Sequence, residues 1–297
     1  MNRVSPATVL VTGASGLLGS AVVDRLRRDG CAVLALSHAH ALPGTTPVDL
    51  LTPAGLRCVE EARWEALVHC AAVRSPDLCE EQPDLARRLN AELPGRLAAL
   101  AARRGARMIH ISTDYVFDGT RPPYREDDPT GPVNRYGETK RDAEQAVLSA
   151  WPSAVVLRIP ALYGEPPPPI VSPMVEEGWA AALSPDETFQ DDRLVRVPTH
   201  TADVAAVVGF LLGREETGVF HCSASQEATR YDWARAFADV MGLDAAHIRR
   251  RAGDPSRRAR RPVNARLDTA KLAATGAPMP QPFAEWLPEI VRRRSAG

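Results

Sequence analysis

Seven residues near the start of the chain constrain its fold more than any others: Gly13-Ala-Ser-Gly16-Leu-Leu-Gly19. They follow a short apolar, β-branched run, Thr8 to Thr12, and precede a helical stretch reaching about Arg28. Between a strand and a helix, one glycine permits the tight turn. A second lets a pyrophosphate approach the main chain, and a third lets the helix pack close to the sheet. The helix start then presents unpaired N–H groups and a partial positive charge to the phosphates. The G-x-x-G-x-x-G spacing in this setting predicts a dinucleotide cradle built from Gly13, Ser15, Gly16, Leu17, Leu18 and Gly19.

The rest of the first half keeps the same rhythm. Asp29-Gly30 stops the first helix, and Cys31 to Leu36 reads as the next strand. Ala66 to Cys70, Arg107 to Ile111, Ala154 to Ile159 and Gly218 to Cys222 read as further strands. Helical spacing covers Pro83 to Arg104, Asn134 to Ala150, Thr201 to Leu212 and Tyr231 to Met241. The alternation predicts an α/β, Rossmann-type doubly wound parallel sheet, with ligands beyond the carboxyl ends of the strands. Residues 1–160 are expected to form the dinucleotide-binding domain, with a helix and a strand returning to it near 200–222. Residues 161–297 are expected to be mainly a smaller α/β substrate-binding region. The proline run Glu165 to Pro169 fits neither a helix interior nor a central strand, so it reads as a linker or a cleft rim. The basic run Arg249 to Arg261 reads as a solvated loop.

Composition removes several classes of function. The formal net charge of −1, from 36 basic and 37 acidic residues, excludes a bulk basic surface for nucleic acid or an anionic membrane. No apolar run approaches the roughly 18 residues of a transmembrane helix, and Met1 to Thr8 has no signal-peptide layout. Five cysteines, an odd count without a C-x-x-C pair, argue against a disulfide framework or zinc ribbon and for the reducing cytoplasm. Nothing near His38 and His40 completes a metal site, so no metal is expected.

The second strand ends Ala35-Leu36-Ser37-His38, where a carboxylate would hold the adenosine ribose hydroxyls of NAD. None is present. Ser37 and His38 offer donors to a 2′-phosphate instead, which favours NADPH over NADH. Asp49 and Leu50 fall where the chain meets the adenine. Ala71 and Ala72 are small enough for the cofactor to cross the sheet edge, and Ile159 ends a strand on the same edge.

Tyr136-Gly-Glu-Thr-Lys140 puts a phenol and an ammonium on one helix face. A free phenol has a pKa of about 10, and a nearby cation is expected to lower it. Lys140 and Lys271 are the two lysines among 36 basic residues, so a lysine has been kept where arginine is the habit. Gly137 costs about 1 kcal/mol against alanine inside a helix, which suggests a close approach there. Upstream, Ser112 and Thr113 end a strand. Thr113 is placed to bind a substrate carbonyl beside Tyr136.

Together, Gly13 to Gly19, Ser112 to Gly119 (S-T-D-Y-V-F-D-G) and Tyr136 to Lys140 resemble the extended short-chain dehydrogenase/reductases. Within them the chain is similar to the dTDP-4-dehydrorhamnose reductase group. It is closer still to the methionine adenosyltransferase β-subunit branch, through His69 to Asp77, Glu81 to Asp84, Pro123 to Glu126, Arg158 to Glu165, Pro198 to His200 and Arg261 to Asn264. The resemblance spans nearly the whole chain. It implies Thr113, Tyr136 and Lys140 as the catalytic set, and Tyr136 and Lys140 also as cofactor contacts. It implies Asn90 as the active-site asparagine, with Arg74, Ser112, Thr113, Tyr115 and Arg196 toward substrate. Ala161 stands where the rhamnose-pathway reductases carry a tryptophan.

The function these observations imply is NADPH-dependent reduction of a ketone on a nucleotide-activated 4-keto-deoxysugar. Expected partners are that small molecule and a second copy of the chain as a homodimer, with neither nucleic acid nor a membrane. The alternative implied by the resemblance is a non-catalytic, NADP-binding regulatory subunit whose partner is a methionine adenosyltransferase. An epimerase or dehydratase of the same fold is a further option.

Overall fold

Strand β1 (Thr8–Thr12) is buried along almost its whole length, as a parallel strand covered on both faces must be. It feeds the glycine turn and α1 (Leu17–Arg28), which buries Leu18, Val22, Val23 and Leu26 on one face. Each such side chain contributes about 1.5–3 kcal/mol on full burial. Arg25, Arg27 and Arg28 in its last turn complement the negative end of the helix dipole. The computed structural model describes residues 7–38, 42–166, 170, 172–253 and 257–295. The first six residues, His40, residues 167–169 of the proline run and residues 254–256 of the basic run lie outside the described residues.

The chain continues through β2 (Ala32–Ser37), β3 (Thr46–Pro47), α2 (Pro53–Glu61) and β4 (Ala66–His69). The helical stretch predicted over Pro83 to Arg104 is interrupted. After α3 (Pro76–Glu81) and α4 (Pro83–Ala86), a π-helical turn over Arg87–Glu92 precedes α5 (Leu93–Arg104). Then come β5 (Arg107–Thr113), a 3₁₀ turn over Asp114–Val116, α6 (Arg135–Ala150) and β6 (Val155–Ile159). The remaining elements are β7 (Leu162–Tyr163), α7 (Pro173–Leu183), β8 (Thr188–Asp191), β9 (Thr199–His200), α8 (Thr201–Leu212), β10 (Gly218–His221), α9 (Arg230–Val240), β11 (Ile248–Arg251), α10 (Ala270–Ala274) and α11 (Phe283–Ser295).

Seven strands form one parallel sheet in the order β10-β6-β5-β4-β1-β2-β3. The strand order reverses between β1 and β4, and a crevice at such a switch point is where doubly wound sheets bind ligands. One face is packed by α1 and α8 through Val9, Val11, Val22, Val204 and Leu211. The other is packed through Leu10, Leu67, Leu97, Met108 and Val147. A separate apolar cluster joins β7, α7, α9 and α11 through Tyr163, Trp233, Phe237 and Phe283.

The basic run departs from its reading as a solvated loop. Its start is β11, paired in parallel with β8. Its arginines meet facing acids: Arg249 with Glu187 at 2.9 Å, Arg258 with Glu81 at 3.0 Å and Arg261 with Asp77 at 2.7 Å. Arg249 and Arg258 stay exposed in these pairs, whereas the Arg261 guanidinium is largely buried against Asp77. No helix among the described residues is long and apolar enough to cross a membrane.

Candidate active site

The cradle has the shape its glycines require. Gly13 adopts φ +67°, and a Cβ there would lie 2.7 Å from the Ala71 backbone nitrogen. At Gly19 a Cβ would overlap the Gly13 carbonyl, so α1 starts hard against the turn. Gly16 caps α1 with no side-chain hydrogen bond, leaving the first-turn amides to an anion. Ser15 and Leu17 are half-buried around exposed Gly16. Leu18 points into the core, so only its main chain faces the turn. Ala71 and Ala72 are half-buried beside Gly13. These features fit a dinucleotide pyrophosphate.

The ribose end differs from the expectation at Ser37. That residue is buried, and its hydroxyl lies 3.1 Å from the Thr45 hydroxyl. Ser37 pairs with Pro47 of β3, and its hydroxyl is covered rather than open to a ligand. His38 is exposed, with Nε2 3.9 Å from an Asp49 carboxylate oxygen. Leu50 is buried in the core beside the exposed Asp49 edge. Ile159 is buried at the end of β6 as the register partner of Thr113.

At the carboxyl end of β5 the chain gathers Thr113, Asp114, Tyr115 and Tyr136. Asn134 caps α6 by accepting from the Gly137 amide at 2.8 Å. Gly137 sits so close to the Tyr115 carbonyl that no side chain fits there, the close approach its sequence position suggested. Tyr136 meets Tyr115 edge to face, with ring centroids 5.9 Å apart. The Thr113 hydroxyl lies where it favours the ionised form of the Tyr136 phenol. It donates to Asp114 at 3.0 Å and accepts from the Tyr115 amide at 3.2 Å.

Lys140 is buried. Its ammonium donates to the Ile111 carbonyl at 2.6 Å and lies 3.2 Å from His110 Nε2. Burial lowers its pKa to about 8, against the attraction of Glu144 and Cys70. The expected lowering of the Tyr136 phenol is overturned. Burial pushes that phenol up; the Thr113 hydroxyl opposes it, and Asp114, Cys79 and Tyr115 add to it. Among the described residues, the lysine's hydrogen bonds go to strand β5 rather than to the phenol.

The residues expected to face substrate divide sharply. Tyr115 and Arg196 come together, the guanidinium donating to the Tyr115 hydroxyl at 3.2 Å. Arg196 is also anchored on the Val195 and Pro262 carbonyls at 2.6 and 3.1 Å. Arg74 is exposed, with no ion-pair partner among the described residues. Asn90 does not open to substrate. It is fully buried in the π turn, accepting from the Val73 amide at 2.8 Å and donating to the Val73 carbonyl at 3.0 Å. The extra residue of a π turn rotates it inward, where it fixes the loop after β4. Ser112 likewise faces inward and donates to buried Glu144, which pairs with Arg158 at 2.7 Å. Alternation along β5 puts Ser112 and Thr113 on opposite faces.

Three residues of the site escaped the sequence reading. Asp114 is buried, and burial raises its carboxyl to about 6 while Arg196 and the Thr113 hydroxyl oppose. Its signal was its place beside Thr113 at a strand end. His69 and His110 occupy matching positions in two otherwise apolar strands, and that pairing was the available signal.

A close-packed glycine turn between β1 and α1 and a Thr-Tyr-Lys set at the end of β5, on one parallel sheet, define the extended short-chain dehydrogenase/reductase class. Within it the chain belongs to the RmlD substrate binding domain family, which matches residues 7–295. It is 41% identical over 281 residues to methionine adenosyltransferase 2 subunit beta of Pongo abelii, covering 93% of this chain and 84% of that one. It is 37% identical over 286 residues to a probable dTDP-4,6-dihydroxy-2-methyloxan-3-one 4-ketoreductase of Streptomyces antibioticus, covering 93% and 91%. A solved dTDP-4-dehydrorhamnose reductase of Clostridium acetobutylicum superposes with a TM-score of 0.85 at 29% identity, over 97% of this chain and 99% of that one.

Proposed function

We propose that this protein is an NADPH-dependent reductase of a ketone on a nucleotide-activated 4-keto-deoxysugar. The observation that carries this reading is Thr113 at the end of β5 with Tyr136 and Lys140 of α6 packed against that strand end, on the same edge of the sheet as the Gly13–Gly19 cradle. The main chain of Gly13, Ser15, Gly16, Leu17, Leu18 and Gly19 would hold the pyrophosphate. His38 would meet the 2′-phosphate, and Asp49 and Leu50 the adenine. Ala71, Ala72 and Ile159 would line the path across the sheet. When bound, NADPH supplies the hydride.

The chain's own groups handle the proton. Tyr136, held neutral by burial, donates its proton to the carbonyl oxygen. Thr113 orients that oxygen. The buried Lys140 ammonium makes the phenolate left behind less costly and holds the nicotinamide ribose. Arg196 and Tyr115 sit at the substrate side, and residues 161–297 would shape most of the sugar site. Residues 1–160, with the returns near 200–222, would carry the cofactor. Five free cysteines suit the reducing cytoplasm.

NADPH consumption by the purified protein across nucleotide 4-keto-sugars tests this reading. Turnover on one of them supports it. NADPH binding with no turnover on any would overturn it.

A second reading rests on the 41% identity to methionine adenosyltransferase 2 subunit beta. In it the protein binds NADP and a methionine adenosyltransferase without reducing a substrate. Mixing the two at micromolar concentration and following that enzyme's kinetics decides it. No complex and no kinetic change would remove the reading.

A further inference from the structure

Thr12, His69 and His110 lie side by side across three neighbouring strands. Thr12 is the register partner of His69, and His69 of His110. All three are buried. Strands covered on both faces are normally near-continuous apolar runs, so a polar row here costs desolvation unless each member is paired. Thr12 Oγ1 and His69 Nδ1 lie 2.7 Å apart. The His110 ring stacks on His69 with centroids 5.4 Å apart and planes 22° from parallel. His69 Nε2 and His110 Nδ1 have no partner. An apolar side chain at 110 would avoid that cost. The histidine retained there spends its other nitrogen on Lys140, 3.2 Å away.

An ammonium carries three N–H donors. Ile111 and His110 take two, which fixes the direction of the third. We propose that His110 is a positioning residue for Lys140, its neutral ring accepting from the ammonium so that the charge is held in place against the carboxyl-terminal half of β5. This rests on the role assigned to Lys140 in the reductase reading. Because Lys140 donates, Nε2 is the acceptor and Nδ1 carries the ring proton. Burial first, then Lys140 and His69, hold His110 well below its ordinary pKa, so the ring stays neutral and does not repel the lysine. The other groups facing Lys140 are Glu144 on α6, itself paired with Arg158 of β6, Cys70 just after β4, and His69 of β4.

Lys140 and Lys271 are the chain's two lysines, so carbon-13 lysine labelling of the full-length protein yields two signals to follow against pH. The wild-type Lys140 signal is expected to titrate near pH 8, where burial places it at about 8. His110→Phe fills the same space without an acceptor, and its Lys140 midpoint is expected to fall by about one pH unit, tenfold in proton affinity. His110→Gln, whose amide oxygen can accept in place of Nε2, is expected to restore most of that shift. The Lys271 signal should be the same in all three. Thermal melts establish that each variant is folded. If the Phe variant does not fold, His110→Met supplies the acceptor-free comparison. A Phe or Met midpoint equal to wild type, or a Gln midpoint no higher than theirs, would overturn the proposal. The titration needs no substrate. A protein inert toward every 4-keto-sugar would therefore refute the reductase reading while leaving this result standing.

Discussion

Gly137 and Tyr115 meet main chain to main chain: the first turn of α6 rests on the Tyr115 carbonyl with no room for a Cβ between them. Tyr136 is the residue immediately before this contact. Gly137→Ala should force the helix away from the 3₁₀ turn. Overpacking of this kind costs about 1–3 kcal/mol. Thermal denaturation should show that loss, and kcat should fall while NADPH affinity holds. An unchanged kcat would show that the contact does not place the phenol.

Tyr136→Phe removes the proposed proton donor and leaves the ring packed against Tyr115. A positioned general acid contributes about 10²- to 10⁴-fold. Turnover should drop by that order, with NADPH affinity, measured by fluorescence titration, close to wild type. Full turnover in this variant would sink the assigned mechanism.

Asp114 ties stability to pH. Its buried carboxyl is raised from 3.8 to about 6, so the folded protein holds this proton more tightly than the unfolded chain. Its stabilising contribution is therefore complete below about pH 4 and is lost as pH rises through about 6. The span corresponds to about 3 kcal/mol. Urea denaturation of wild type and Asp114→Asn from pH 4 to 8 should show the difference in stability moving in the variant's favour as pH rises. A constant difference would mean that the carboxyl does not titrate in this range.

The Glu144–Arg158 pair is buried on both sides. Glu144→Ala leaves a guanidinium without its countercharge in the sheet, at a cost of about 3–5 kcal/mol. Ser112→Ala removes one neutral partner of Glu144 and should cost about 1 kcal/mol. Because Ser112 faces that pair rather than the cleft, its variant should keep the wild-type KM for the sugar. A large rise in KM would return Ser112 to the substrate site.

Local chemistry made part of the site readable in the sequence. The glycine turn declares itself because Gly13 needs a left-handed conformation and Gly19 a close approach, demands met within a few residues. Tyr136 and Lys140 follow from helical spacing, and the strand–helix alternation follows from hydrophobic period. The direction of each polar side chain was less accessible. Ser37, Asn90 and Ser112 all carry groups suited to a ligand, yet each turns inward to a partner supplied by another segment.

Spacing within one or two elements made the parallel α/β architecture, the glycine turn and the Tyr-Lys helix legible along the chain. Which groups come together at the site depends on long-range packing. Arg196 reaches Tyr115 from a segment far along the chain. Arg258 and Arg261 meet Glu81 and Asp77 from the other end of the chain. Lys140 directs its ammonium to Ile111 and His110, and burial rather than that cation governs the Tyr136 phenol. Desolvation and cross-strand register depend on what the folded neighbours supply, and no pattern along a single segment carries that information.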